Sequence, residues 1–91
     1  MAKHELTIDP DQFCSVVAER KKAEYRRLDK SYSVGDQVVF KEWDPKRQKY
    51  TGKTCTVKIT DIQHGDEHGI PQGYGVLSLQ FMSFKTYTDY A

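Results

Sequence analysis

Several things are scarce in this chain of 91 residues, and each absence closes off a class of answer. Only two cysteines occur, Cys14 and Cys55, far apart and in no Cys-x-x-Cys pairing, so neither a zinc site nor a disulfide framework is expected. Both are expected to be small buried apolar residues. No run approaches the roughly 18 apolar residues of a membrane span. Met1-Ala2-Lys3-His4-Glu5 leads directly into charge with no apolar stretch behind it, so a secretory signal is not expected and the cytoplasm is the default compartment. Three prolines and six glycines are too few for a low-complexity or fibrous chain.

What is present fits one soluble globular domain: 37% hydrophobic, 30% charged and eleven aromatics, six Tyr, four Phe and one Trp. The formal net charge of +1 conceals a gradient, because residues 20–58 hold twelve Lys or Arg against five acids. A basic middle on a nearly neutral chain points to one positive face suited to phosphate.

The hydropathy pattern gives the order β, α, β, β, β, β. Leu6 and Ile8 alternate with Glu5 and Thr7 as a first strand, and Asp9-Pro10-Asp11 is a helix start: capping acceptor, proline at the first helical position, acid favourable to the dipole. Phe13, Val16, Val17 and Arg20 follow at helical spacing, predicting a helix from about Pro10 to Glu19. A strand over Ala23–Arg27 carries Ala23 and Tyr25 inward and Glu24 and Arg26 to the other side. Further strands are predicted over Gln37–Trp43, Thr54–Ile62 and Tyr74–Met82. Asp44-Pro45-Lys46-Arg47 turns the chain, with Tyr50-Thr51-Gly52-Lys53 completing a broad hairpin loop. Residues 63–73 read as a long loop, residues 4–82 as the domain and residues 83–91 as a tail in which Phe84 and Tyr87 can dock. The fold class expected is α+β, a small β-barrel of about five to six strands with one N-terminal helix plugging an end, since closure removes the edges short strands expose.

Lys21, Glu24 and Arg26 stand together at the helix-to-strand junction. A carboxylate flanked by two cations is either a solvated ion-pair cluster or the polar floor of a site for an anionic, hydrogen-bonding ligand. In a binding site Lys21 and Arg26 meet phosphate or a carbonyl while Glu24 accepts from a base edge. In an enzyme Glu24 is the general base and Lys21 orients a water. The hairpin cations Lys46, Arg47, Lys49 and Lys53 form a projecting basic loop, and Trp43, Tyr50 and Tyr32 are candidate stacking platforms. His4 reads as a packed residue of the first strand; His64 and His68 read as loop residues rather than metal ligands. Neither metal nor other cofactor is expected.

These residues resemble the ASCH domains of the PUA-like superfamily, whose signature is Gly-x-Lys-x-x-Glu-x-Arg after the first helix, followed by a Gly-Asp turn. Lys21, Glu24, Arg26 and Gly35-Asp36 occupy those places. His4-Glu5-Leu6-x-Ile8, Phe13, Val34-Gly35-Asp36, Glu42-x-Asp44, Tyr50-Thr51-Gly52 and Gly73-Tyr74-x-Val76-Leu77 extend the resemblance to a branch of small stand-alone bacterial and phage proteins of undefined function. The resemblance implies a PUA-like barrel with a cleft near the signature in which relatives bind RNA or modified nucleosides. Two positions depart from it. Glu19 stands at the signature glycine, so either the helix continues to Arg20 or the turn has another shape. Glu24 stands where the amidohydrolases among those relatives carry a threonine nucleophile, so their nucleophilic mechanism does not transfer. The reading is therefore an RNA- or nucleotide-binding module, with a small hydrolase of a modified nucleoside and a protein-interaction module as its alternatives.

Overall fold

Asp9 ends the first strand and starts the helix: its Oδ1 accepts from the Gln12 N–H at 2.8 Å and its carbonyl from the Phe13 N–H, with Pro10 behind it. The computed structural model describes residues 1–66 and 68–86, which form β1 (Lys3–Ile8), α1 (Pro10–Val17), β2 (Ala23–Arg27), β3 (Gln37–Asp44), β4 (Lys49–His64) and β5 (Tyr74–Thr86). One sheet contains all five strands in the order β1-β3-β4-β5-β2. β1 runs parallel to β3, with Leu6 opposite Phe40, and the other pairings are antiparallel.

Register shifts at Lys41/Trp43, Thr56/Val57 and Ile59/Asp61 insert extra residues that bend and coil the ladder, and the sheet curls into a half-barrel. It does not close as the expected barrel would, because β1 and β2 stay unpaired with one another at its two edges. The Lys30 ammonium, 3.2 Å from the Glu5 carbonyl, covers part of the β1 edge instead.

The concave side holds the core. Leu6, Ile8, Val38, Phe40, Cys55, Val57, Ile59, Leu77 and Leu79 are buried there, and α1 seals one end by laying Phe13 and Val16 on β3, β4 and β5. Phe84 meets Phe13 edge-on at 6.0 Å, on a β5 that continues past Met82 to Thr86. The docking expected of Tyr87, and the remainder of the tail, lie outside the described residues.

Four local readings are corrected. Tyr25 is 54% exposed and Ala23 exposed, whereas Glu24 and Arg26 turn to the concave side. β2 sits at the sheet edge, where paired charges are tolerated inward, and Tyr25 stacks on Tyr74 across the convex face at 5.6 Å. Helix α1 ends at Val17 rather than Glu19, with Ala18 as its C-cap, so Arg20 lies beyond it. Cys14, on the outer side of that helix, is exposed; only Cys55 is buried. The hairpin is tight: Asp44 pairs with Lys49 and Trp43 with Tyr50, so residues 50–53 belong to β4, and Gly52 at φ 91° absorbs the bulge opposite Glu42.

Candidate functional site

Glu19 adopts φ 61°, the left-handed conformation a glycine would take without strain, and thereby turns the chain out of α1. The Arg20 and Lys21 N–H groups both return to the Ser15 carbonyl, which satisfies a helix-end acceptor and aims Lys21 back towards β2. Lys21 Nζ then lies 3.0 Å from Glu24 Oε1, and Arg26 Nη1 lies 3.6 Å from Glu24 Oε2. All three are mostly covered, with side-chain exposures of 23%, 18% and 25% for Lys21, Glu24 and Arg26. One carboxylate between two cations leaves a single net positive charge.

Two polar atoms remain unanswered at this end of the half-barrel. Arg26 Nε and the Tyr32 hydroxyl are both buried without a hydrogen-bond partner among the described residues. Burial raises the Tyr32 hydroxyl above its ordinary value of 10.0; Arg26 pulls it down, and Asp29 and Glu24 add to the rise, so it stays protonated near neutrality. Arg26 Nε can only donate, and the Tyr32 hydroxyl can donate or accept. Together they suit an acceptor such as a carbonyl or phosphate oxygen.

Behind Tyr32 stands His4. The two rings lie 4.6 Å apart, tilted by 51°, and His4 Nε2 lies 2.9 Å from Asp36 Oδ2. Asp36 also accepts from the Ala2 and Ser33 N–H groups at 3.0 Å each. The His4 hydrogen bond first, then that of Ala2, hold its carboxyl below the ordinary 3.8 against the opposing effect of burial, with Ser33 and the His4 charge adding to the lowering. The sequence showed Gly35-Asp36 as a turn, and an aspartate capping its own turn was the available signal; the partnership with His4, 32 residues away, had none.

On the other side of Lys21 a hollow of about 140 Å³ opens between α1 and the sheet, with Val16, Val57, Leu79 and Phe81 as its apolar wall and Glu19, Lys21 and Lys22 at its polar rim. That is below the roughly 300 Å³ at which pockets for whole small molecules begin, so it fits one side of a ring or one phosphate.

The remaining candidates are elsewhere. Trp43 and Tyr50 meet at 4.9 Å on the convex face, and Lys46, Arg47 and Lys49 ring the β3–β4 turn with Lys53 following on β4. On β5, Arg26 is level with Gly75 and Lys53 with Thr86, eleven residues further along the strand. The structure therefore joins Lys21, Glu24 and Arg26, adds Tyr32 and His4, and sets the hairpin group apart at the opposite end. His64 and His68 lie at and beyond the end of β4, and among the described residues no three His, Cys, Asp or Glu side chains converge as metal ligands. No described helix is long and apolar enough to cross a membrane.

The model of a family described as a domain of unknown function (DUF3850) matches residues 3–79, from β1 into β5. The chain belongs to this family. It is also similar to an uncharacterized 12.9 kDa protein of Escherichia phage P2, encoded in the region 3′ of GpA, with 35% identity over 63 residues. That match covers 68% of this chain and 56% of the phage protein, so the chain spans little more than half of its relative's length. The family match includes Lys21, Glu24, Arg26, His4, Tyr32 and Asp36 within one continuous segment.

Proposed function

We propose that this protein is a PUA-like module of the ASCH type that binds RNA or a nucleotide at Lys21, Glu24 and Arg26. The observation that carries the reading is that Lys21 belongs to two surroundings at once: it pairs with Glu24 and it rims the apolar hollow between α1 and β5. A ligand with a flat ring and an attached anionic group suits that combination. Its ring edge enters the hollow against Val16 and Leu79, its phosphate lies across Lys21 and Lys22, and its polar edge meets Glu24 and the unpartnered donors of Arg26 and Tyr32. The basic hairpin supports the same ligand class by attracting polyanions.

The test is a titration of nucleotides and of short single-stranded and hairpin RNAs against the wild type and a Lys21→Ala/Arg26→Ala double variant, at low and physiological salt. Binding lost in a variant that still melts cooperatively supports the site. A wild type that binds none of them at either salt rejects it.

A further inference from the structure

We propose that the β3–β4 hairpin is a second, separate binding station, built for single-stranded RNA, in which Tyr50 stacks on a base while Arg47 and Lys49 hold the flanking phosphates. It shares the ligand class with the function proposed above and deepens the part given there to the basic hairpin, using none of Lys21, Glu24 and Arg26.

Tyr50 is 45% exposed, yet three contacts fix its ring. Its hydroxyl lies 2.9 Å from the Thr7 Oγ1, the Trp43 ring meets it edge-on at 4.9 Å and 80°, and the Lys41 ammonium sits 4.6 Å from its centroid. An exposed aromatic held this firmly loses little conformational freedom when something stacks on it. The Lys41 ammonium lies over one face of the ring, so a base stacks on the other face, with the cation behind it.

Beside Tyr50 opens a hollow of about 550 Å³ lined by Asp44, Arg47, Lys49, Tyr50, Thr51 and Gly52. Asp44 is its only acid and is already engaged: its Oδ1 accepts from the Lys46 and Arg47 N–H groups, and its Oδ2 lies 3.7 Å from Arg47 Nε. Those bonds, with the Gln48 side-chain amide donating to the Pro45 carbonyl at 2.6 Å, make the turn a rigid mount for its cations. Arg47 keeps 74% of its side chain exposed despite the weak pairing, which leaves its other nitrogens free for a phosphate. Thr51 gives its hydroxyl to the buried Glu42 carboxylate at 2.7 Å, so the floor is set from beneath. A fixed ring, a roomy hollow and mounted cations are what a single strand requires: a π-face for any base and positive charge along its backbone. An acidic peptide would use the cations and leave the ring idle.

Fluorescence anisotropy of a labelled single-stranded decauridylate, measured from low to physiological salt, tests this. Tyr50→Leu should weaken binding about tenfold, the size of one lost stack. Tyr50→Phe, which keeps the ring and gives up the Thr7 contact, should restore most of it. Arg47→Ala/Lys49→Ala, at two exposed side chains and in a variant that still melts cooperatively, should flatten the dependence of log affinity on log salt by about 1.4. Arg26→Ala, level with Gly75 on β5 where Lys53 is level with Thr86, shares no contact with the hairpin and should combine additively with any of these. Hairpin variants that bind like the wild type overturn the inference, and if Arg26→Ala alone abolishes binding the signature site stands by itself. Nucleotide binding sensitive to Arg26→Ala with no decauridylate binding also overturns it, as does a decaglutamate that competes as well as the RNA.

Discussion

His4 Nε2 and Asp36 Oδ2 lie 2.9 Å apart, with side-chain exposures of only 10% and 6%, and this pair ties the start of β1 to the turn that opens β3. Asp36 holds more than His4, since the Ala2 and Ser33 N–H groups donate to the same carboxylate. The acid behaviour of the fold follows from this. Its folded carboxyl lies below the ordinary 3.8, so between the folded and unfolded values the unfolded chain binds more protons than the folded one. Stability from this group is complete above the unfolded value and is lost as pH falls through the folded one. Asp36→Asn should therefore melt below the wild type at pH 7, and the gap between their melting temperatures should narrow from pH 5 to pH 2. An unchanged gap over that range would remove Asp36 from the acid response.

Glu19 at φ 61° pays the steric cost of a left-handed conformation that glycine adopts freely. Glu19→Gly should raise unfolding stability by about 0.5–1 kcal/mol, measured as a higher urea midpoint at unchanged slope. A loss of stability would mean that the Glu19 side chain contributes more than its backbone costs.

The two faces of the sheet give a direct contrast. Tyr25→Ala removes an exposed ring stacked on Tyr74 and should cost about 0.5–1.5 kcal/mol, whereas Leu77→Ala empties a fully buried site on β5 and should cost about 2–5 kcal/mol. Equal losses in chemical denaturation would return Tyr25 to the core.

The same contrast shows which parts of the fold the sequence reveals. Val38 and Phe40 on β3 and Cys55, Val57 and Ile59 on β4 alternate with polar or half-exposed neighbours and are all buried, because each of those strands has one face in the core. Alternation misplaced β2, where the concave face carries Glu24 and Arg26: periodicity locates a strand, and the apolar side is assumed to be the inner one. Asp36 and Glu42 are buried at 4% and 7%, and nothing in their neighbours announces it, since their partners His4 and Thr51 come from other strands. The parallel pairing of β1 with β3 and the addition of β2 to β5 are long-range choices without a local signature. For the candidate site, the spacing of Lys21, Glu24 and Arg26 was legible as a cluster, while Tyr32 came to it through tertiary packing against His4 of β1, a contact with no local signal.

The two thiols should separate cleanly. Burial, with the Glu42 charge adding to it, pushes the Cys55 thiol up to about 11, while Cys14 is exposed on α1. Because the thiolate is the reactive form, iodoacetamide at pH 7.5 should label Cys14 alone in the folded protein and both residues in urea, as counted by mass spectrometry. Labelling of Cys55 under native conditions would show that the sheet opens between β4 and its neighbours.

Tyr32→Phe separates a ligand-binding hydroxyl from a structural one. The hydroxyl is buried with no partner among the described residues, so removing it relieves an unmet hydrogen bond and should leave stability unchanged or raise it by up to about 1 kcal/mol, with the ring still packed against His4. If that hydroxyl serves the ligand of the Lys21, Glu24 and Arg26 site, the same variant should lower nucleotide affinity by about tenfold, the size of one hydrogen bond in a covered site. The opposite signs are the diagnostic: a more stable protein that binds less well marks a group kept for recognition. A destabilised Tyr32→Phe with unchanged affinity would assign the hydroxyl to the fold and leave recognition there to Arg26 Nε and the lysines.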